Sequence, residues 1–211
     1  MYDLPQYKEA DPAVIKQFIQ DHPFAFLAGC DAQDQPVITQ VPVFLEEEDG
    51  REYLRGHIMK NTDHYKAFLH NPNALMVFSG AHSYVSGTWY SDPHTASTWN
   101  YMAVHVKGLI RYLDKEGLIR ILKKTTLHFE GYDNKSTTIF DNLSSEYTEK
   151  LMPAIAGFEL AITEMKNVFK LSQNRDAKSY ASIKANLAAQ GGNASVISHE
   201  MEIRTDQLFP E

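Results

Sequence analysis

The chain has 211 residues, of which 43% are hydrophobic and 22% are charged, so it is long enough for one large domain or for a domain with a helical appendage. Its net charge of −7 disfavours nucleic-acid binding, which depends mainly on Lys and Arg meeting phosphates. A single cysteine, Cys30, excludes an internal disulfide, and the lack of a long apolar run or a basic, apolar N-terminus predicts a cytoplasmic protein without a membrane segment.

The first half of the chain predicts one helix followed by several short strands. Asp11 and Pro12 indicate the helix start, because Asp caps a helix and proline suits its first position. Turn residues then separate short apolar or alternating runs, which predict strands at 24–29, 36–45, 52–58, 74–79 and 83–86. Asn61 or Thr62 is expected to cap a short helix after the third strand.

A central strand is predicted at 101–113, because apolar and polar residues alternate along it. The strand at 36–45 differs, since both of its faces are largely apolar and need cover, as in a barrel or a dimer contact. Pro42 within it cannot donate to a ladder and predicts an edge or a bulge. Six short strands ahead of most of the helical sequence favour a small antiparallel barrel.

The second half of the chain is mainly helical. Asp114 is expected to cap a helix that ends at Gly131, and Ser144 begins another. A late strand at 156–165 and helices at 176–190 and 194–201 complete the pattern. The predicted class is therefore α+β, mainly β, with a barrel domain at 1–170 and a helical extension at 171–211 packed on the same domain or on a partner.

Besides the aromatic pair Trp89 and Tyr90, three clusters could bind a ligand. Trp99, Asn100 and Tyr101 lead into the central strand, and two aromatics beside an amide suit a flat, polar, conjugated ligand. The alternative is a core strand with an aromatic lead-in. His105, on the polar side of that strand, is the best candidate for proton transfer because it titrates near neutrality, and a structural histidine is the alternative.

The second cluster lies where the strand at 52–58 runs into a helix. Backbone N–H groups there, with His57, Lys60, Asn61 and Thr62, would suit a phosphate dianion. A capped helix with a solvated lysine is the alternative. The third cluster is the polar loop at 170–175, where Lys170, Gln173 and Arg175 can all donate hydrogen bonds. An ordinary polar loop is its alternative.

Several familiar site patterns are missing from the sequence. It has no dinucleotide-binding glycine pattern, no phosphate loop and no nucleophile elbow. The nine histidines show no zinc-protease arrangement, and one cysteine cannot build a thiolate zinc site. We therefore expect no metal centre, and the catalytic residues stay unassigned.

These clusters together resemble the PaiB-type family, whose members are called FMN-binding negative transcriptional regulators. The resemblance covers about 2–201, and the segments that show it are 82–86, Trp89 with Tyr90, 98–101 with 103–105 and Gly108, 155–160, and 170–175. It implies a split β-barrel related to the pyridoxine-phosphate oxidase group, acting as a homodimer with FMN at the dimer interface.

The resemblance also implies positions for the cofactor. In that group the FMN phosphate lies at a strand end and the start of the next helix, which here coincides with 57–62. The isoalloxazine would lie beside Thr39, Gln40, Val41 and Pro42. We expect Trp99, Asn100 or Tyr101 to close the pocket, and Lys170, Gln173 and Arg175 to cover its open side from the partner subunit.

One departure from the oxidase pattern bears on activity. The Arg-x-Val-x-x-Lys-type strand of those oxidases is replaced here by 39–44, which disfavours pyridoxine-phosphate oxidation. The leading interpretation is an FMN-binding regulator, with a flavin-dependent oxidoreductase of a small molecule as the alternative. Direct DNA binding is disfavoured, because no helix-turn-helix with a basic recognition helix is present. The dimer interface is expected to include 37–44 and 102–106.

Overall fold

The computed structural model describes residues 1–92 and 94–210, and within these residues it has six strands and seven α-helices. Their bounds, in chain order, are α1 Pro12–Asp21, β1 Phe24–Cys30, β2 Pro36–Glu48, β3 Arg51–Met59, α2 Asp63–His70, β4 Asn73–Val85, β5 Thr98–Tyr112, α3 Lys115–Phe129, α4 Ser145–Leu151, β6 Ile155–Lys170, α5 Ala177–Gln190, α6 Gly192–Glu202 and α7 Thr205–Leu208.

The strands form a closed barrel in the order β1-β2-β3-β6-β5-β4. The ladders β1–β2, β1–β4, β2–β3 and β3–β6 are all antiparallel. This confirms the predicted class of an antiparallel barrel with helices. The interior is a packed core in which Leu54, Met76, Val106, Phe158 and Leu160 are fully buried. Since a small barrel filled by its own side chains has no room for a ligand, a ligand binds outside this interior.

The residues divide into two compact units. We call 19–78 with 105–165 the barrel unit, and 1–18 with 79–104 and 166–210 the helical unit. The barrel unit contains β1, β2, β3, α2, α3 and α4, and the helical unit contains α5, α6 and α7. The predicted division into 1–170 and 171–211 stays a prediction, and Glu211 lies outside the described residues.

Within β2, Pro42 lies where the strand changes partner. Residues up to Pro42 pair with β1, and residues from Val43 onward pair with β3. Because the β3 ladder begins one residue after Pro42, that ladder does not need the N–H that proline lacks. The strand β2 can therefore include a proline although it pairs with both β1 and β3. The sequence had predicted an edge or a bulge at this position.

The helix starts follow the predicted caps. Thr62, Asp114, Ser144 and Asp176 each accept a hydrogen bond from a backbone N–H in the first turn of α2, α3, α4 and α5. Asp11 accepts from the backbone N–H of Ala13 in the same way at 2.8 Å. Short polar side chains that satisfy first-turn donors stabilise helix ends, so these local signals correctly locate the helices.

Two strand predictions were wrong in extent. The runs at 74–79 and 83–86 are one strand, β4, in which the buried positions change from 74, 76 and 78 to 81, 83 and 85, so the alternation shifts by one residue at Ser79 and Gly80. The predicted strand at 36–45 continues to Glu48, and the turn after it is confined to Asp49 and Gly50, with φ of 50° and 71°. Two consecutive positive φ angles suit the tight turn of a twisted hairpin.

No helix in the described part of the chain is long and apolar enough to cross a membrane.

Candidate functional site

The connection between β3 and α2 contains only Lys60, Asn61 and Thr62. The Thr62 hydroxyl accepts from the Tyr65 N–H at 3.3 Å and donates to the Met59 carbonyl at 2.7 Å, so it caps the helix. The side chain of Asp63 accepts from the His64 N–H at 2.7 Å. The first-turn N–H groups at His64 and Tyr65 are thus already satisfied, and α2 offers fewer free donors to an anion than the sequence suggested.

Lys60 and Asn61 differ from Thr62 because their side chains are exposed and could contact a ligand. Among the described residues, neither side chain makes a hydrogen bond or an ion pair. The backbone N–H of Lys60 donates to the Ala154 carbonyl at 2.8 Å, which anchors this end of β3 beside the start of β6. The lysine ammonium therefore extends from a fixed backbone and makes no ion pair among the described residues.

Lys60 lines a cavity of about 440 Å³ in the barrel unit. Its walls come from α2, the end of β5, the start of α3, the segment after α4 and the start of β6. Cavities of about 300–1,000 Å³ are typical of small-molecule sites. Gly157 forms part of the wall, and a Cβ there would lie 3.0 Å from the Cα of Leu118, so glycine is what lets α3 pack this close to β6.

The cavity combines cations with an aromatic pair. Lys115 of α3 lines it together with Lys60, and within the described residues its side chain has no partner either. The rings of Tyr65 and Tyr112 lie 4.7 Å apart, and the Tyr112 hydroxyl donates to the Tyr65 carbonyl at 3.0 Å. Burial raises the pKa of Tyr112, so its phenol stays neutral. Asp114 and Glu149 supply negative charge at the same wall.

His57 lies in a different environment from Lys60. It pairs with Gly157 across the β3–β6 ladder, and its Nδ1 is buried without a hydrogen-bond partner. Burial lowers the pKa of His57, so the ring is neutral at pH 7 and adds no positive charge to a phosphate site. It does not line the cavity.

The four β2 residues predicted beside the flavin ring alternate in exposure. Val41 is buried in the barrel, Thr39 and Pro42 are half-buried, and Gln40 is exposed. The Pro42 carbonyl lies 2.8 Å from the position that a Cβ on Gly56 would take, so this part of β2 lies directly beside β3. The structure thus brings the β2 and β3 residues of the prediction into neighbouring strands of one unit.

The aromatic lead-in to β5 does not form one surface. Trp99 is exposed beside His82 and Tyr84, at centroid distances of 5.9 and 6.0 Å. Asn100 is 0% exposed, and its amide accepts from the Ser172 hydroxyl at 3.1 Å and contacts the Met201 sulfur at 3.7 Å. Successive residues of a strand point to opposite faces, so the amide of Asn100 is directed into the core of the helical unit.

Tyr101 is half-buried and packs against a small cluster of Tyr7, Ala103 and Val168 in the helical unit. His105 is also half-buried, and burial lowers its pKa. Within the described residues its ring makes no hydrogen bond or ion pair. In the described residues no group of three His, Cys, Asp or Glu side chains could hold a metal ion.

In the loop after β6, Gln173 has an internal role. Its side chain accepts from the Leu171 N–H at 2.7 Å and donates to the Phe169 carbonyl at 2.5 Å, which closes the loop. Lys170 and Arg175 instead contact rings, with Lys170 Nζ 5.3 Å from the centroid of Tyr2 and the Arg175 guanidinium 4.2 Å from that of Tyr90. Sequence reasoning singled out Tyr90 but assigned it no role as a site residue, and Tyr2 carried no signal. As cofactor contacts, the helical-unit residues stay predictions.

Comparisons with known proteins identify the relatives of this chain. A family model described as "Putative FMN-binding domain" matches residues 1–164. The chain is 29% identical over 205 residues to the "Protease synthase and sporulation protein PAI 2" of Bacillus subtilis (strain 168), covering 96% of this chain and 97% of that protein.

Two solved structures share its fold at low identity. One is the FAD and heme binding protein from Mycobacterium smegmatis, with a TM-score of 0.56, 14% identity, and coverage of 88% of this chain and 80% of that one. The other is the flavocytochrome Anf3 from Azotobacter vinelandii, with a TM-score of 0.56, 16% identity, and coverage of 80% and 72%. At such identities these similarities show the fold alone.

Proposed function

The chain belongs to this FMN-binding family, and we propose that its barrel unit binds the FMN phosphate at Lys60, with the isoalloxazine beside β2. The observation that supports this most directly is the Lys60 ammonium, which has no partner among the described residues and lines a cavity of ligand size. A phosphate dianion supplies the missing counter-charge. Asn61 adds neutral donors, and Thr62 fixes the connection by capping α2.

The lining of the cavity suits the phosphate end of the cofactor, and because none of it comes from β2, the ring beside β2 would lie beyond this lining. Lys115 provides a second ammonium group, and the Tyr65–Tyr112 pair provides aromatic surface. When bound, FMN supplies the capacity for electron and hydride transfer. The chain's own residues bind the phosphate through Lys60 and present the backbone of Thr39, Gln40, Val41 and Pro42 to the ring.

A flavin titration tests this placement. Lys60→Ala removes a charge-assisted contact that contributes on the order of 1.5–3 kcal/mol, so FMN affinity should fall roughly tenfold to a hundredfold. Riboflavin lacks the phosphate and should bind both proteins equally. Lys66→Ala, which removes another exposed lysine nearby on α2, is the matched control and should leave FMN affinity unchanged. Unaltered FMN affinity in Lys60→Ala would refute the placement.

We further propose a homodimer that forms through the outer face of β1 and β2. Phe24 and Ile38 are 61% and 62% exposed on these paired strands, and Phe26 is exposed beside them. The segment 102–106 offers no exposed apolar side chain, because Met102, Ala103, Val104 and Val106 are buried in the chain itself. The interface proposed here therefore rests on β1 and β2, and should bury more than about 2,000 Å².

Light scattering tests the dimer. Ile38→Glu places a charge in the proposed interface and should shift the mass toward the monomer. Leu69→Glu changes an equally exposed apolar residue of α2 and should leave the dimer intact. A monomeric mass for the unmodified protein at every concentration would contradict the proposal.

The resemblance also implies a regulatory role, and the Bacillus subtilis relative carries the name of a protease synthase and sporulation protein. We propose that any such role depends on flavin binding rather than on contact with DNA. Two basic residues of α3 support this, because Lys123 pairs with Asp141 and Lys124 pairs with Glu46, each at 2.6 Å.

A further inference from the structure

A cationic and aromatic cluster lies in the helical unit, apart from the residues assigned to the FMN phosphate. Lys170 is 9% exposed, donates to the Thr98 hydroxyl and lies 5.3 Å from the ring of Tyr2. The guanidinium of Arg175 lies 4.2 Å from the ring of Tyr90. Two positive groups are therefore held against tyrosine rings at the end of β6 and the loop that follows it.

The two cations are close enough to influence each other. Burial lowers the pKa of the Lys170 ammonium, and the charge of Arg175 lowers it further. Tyr7 belongs to the same cluster. Burial raises the pKa of its phenol, the charge of Arg175 lowers that pKa, and Tyr2 and Tyr90 raise it. Like charges brought together out of water are unfavourable unless a counter-charge is present.

The described residues supply no such counter-charge. Neither Lys170 nor Arg175 pairs with a carboxylate, and the guanidinium of Arg175 makes no hydrogen bond. Tyr90 is 8% exposed, and its hydroxyl is buried without a partner. A buried hydroxyl that lacks a partner is costly, and this one belongs to the ring on which the Arg175 guanidinium stacks, so both groups have donors ready for a ligand.

We propose that Arg175, Lys170 and the Tyr90 hydroxyl bind the oxyanion of a small molecule, either a carboxylate or a phosphate, other than the phosphate of FMN. The planar guanidinium suits the two oxygens of either group, and stacking on Tyr90 holds it in place. The surrounding tyrosine rings provide apolar surface for the body of the ligand. An extended nucleic acid does not fit, because Lys170 is too deeply buried to reach a duplex backbone.

Binding experiments with two probes test the proposal and identify the source of the oxyanion. Inorganic phosphate and benzoate are titrated into the full-length protein at constant ionic strength, with the Arg175 Nε–H resonance followed by NMR. We expect saturable shifts with at least one probe. Arg175→Gln should weaken the binding of that probe tenfold or more, as measured by intrinsic fluorescence or calorimetry. Lys178→Gln, on the exposed part of α5, is the matched control and should bind normally.

Tyr90→Phe distinguishes a ligand donor from an isolated buried hydroxyl. The variant should fold at least as stably as the unmodified protein, because it loses a hydroxyl without a partner, and it should bind the probe several-fold more weakly. The proposal is overturned if neither probe saturates, or if Arg175→Gln and Tyr90→Phe both bind as the unmodified protein does.

FMN titrations of the same variants distinguish the proposed oxyanion site from the proposed site of the FMN phosphate. If Arg175→Gln weakens FMN but not riboflavin, while Lys60→Ala weakens neither, this cluster holds the cofactor phosphate and the proposal of a second anion fails. If saturating FMN leaves probe binding intact, the two anions occupy different sites, as we propose. The second result does not depend on which residue of the barrel unit holds the FMN phosphate.

Discussion

At the scale of single residues, what each polar group does depends on whether the chain already satisfies it. Thr62 and Gln173 were expected to contact the cofactor, and both are hydrogen-bonded internally, Thr62 to a helix start and Gln173 within its own loop. The side chains of Lys60 and Arg175 have no hydrogen-bond partner among the described residues. A sequence gives the residue type but not the partner, which is why spacing could nominate these four side chains but could not rank them.

His57 gives the protein a predictable response to acid. Burial lowers the pKa of its imidazole in the folded state, so below the unfolded value of 6.5 the unfolded chain binds the extra proton more readily. Stability should therefore fall as pH decreases from about 6.5 toward the lowered folded pKa. His57→Leu removes this contribution and should flatten the profile while leaving stability near pH 7 almost unchanged.

Urea unfolding from pH 7.5 to 5.0 measures the effect. The comparison is between the slopes of the two proteins, since His105 is also buried enough for its pKa to be lowered and remains in both. Parallel profiles for His57→Leu and the unmodified protein would contradict the assignment.

At the scale of elements, local signals predicted the helices better than the strands. Asp114 and Ser144 mark helix starts through bonds within one turn, which the sequence shows directly. Strand extent depends on neighbours that are distant in sequence. The residues between 79 and 83 were therefore predicted as a break, although β4 continues through them, and Asn100 was predicted in a ligand cluster, although alternation directs it into the core. The Lys60 cavity was also beyond prediction, since its walls come from three separate stretches of the chain, within 60–65, 112–118 and 149–157.

The β3–α2 connection allows the capping role of Thr62 to be separated from a role in binding. Thr62→Ala removes the hydroxyl that accepts from the Tyr65 N–H and should cost about 1 kcal/mol of stability. Thr62→Ser keeps a hydroxyl and should restore most of it. Chemical denaturation measures the stability, and FMN titration of the same variants should show only a small change. A large loss of FMN affinity in Thr62→Ala with unchanged stability would mean that the hydroxyl contacts the phosphate instead.

At the scale of the whole molecule, net charge governs which large partners can approach. The chain carries −7, and its most basic helix pairs Lys123 and Lys124 with carboxylates. We therefore predict no sequence-specific DNA binding with nanomolar affinity, because such binding needs several free phosphate contacts. Fluorescence anisotropy with labelled duplexes at two salt concentrations tests this. Nanomolar affinity with a steep salt dependence would contradict it.

The central claim is that the FMN phosphate binds in the barrel unit at Lys60. The most direct test is a crystal structure of the protein soaked or grown with FMN. We expect a phosphate oxygen about 2.7–2.9 Å from Lys60 Nζ, the usual length of a charge-assisted contact. A phosphate bound instead against Lys170 and Arg175, with Lys60 still unpaired, would contradict it.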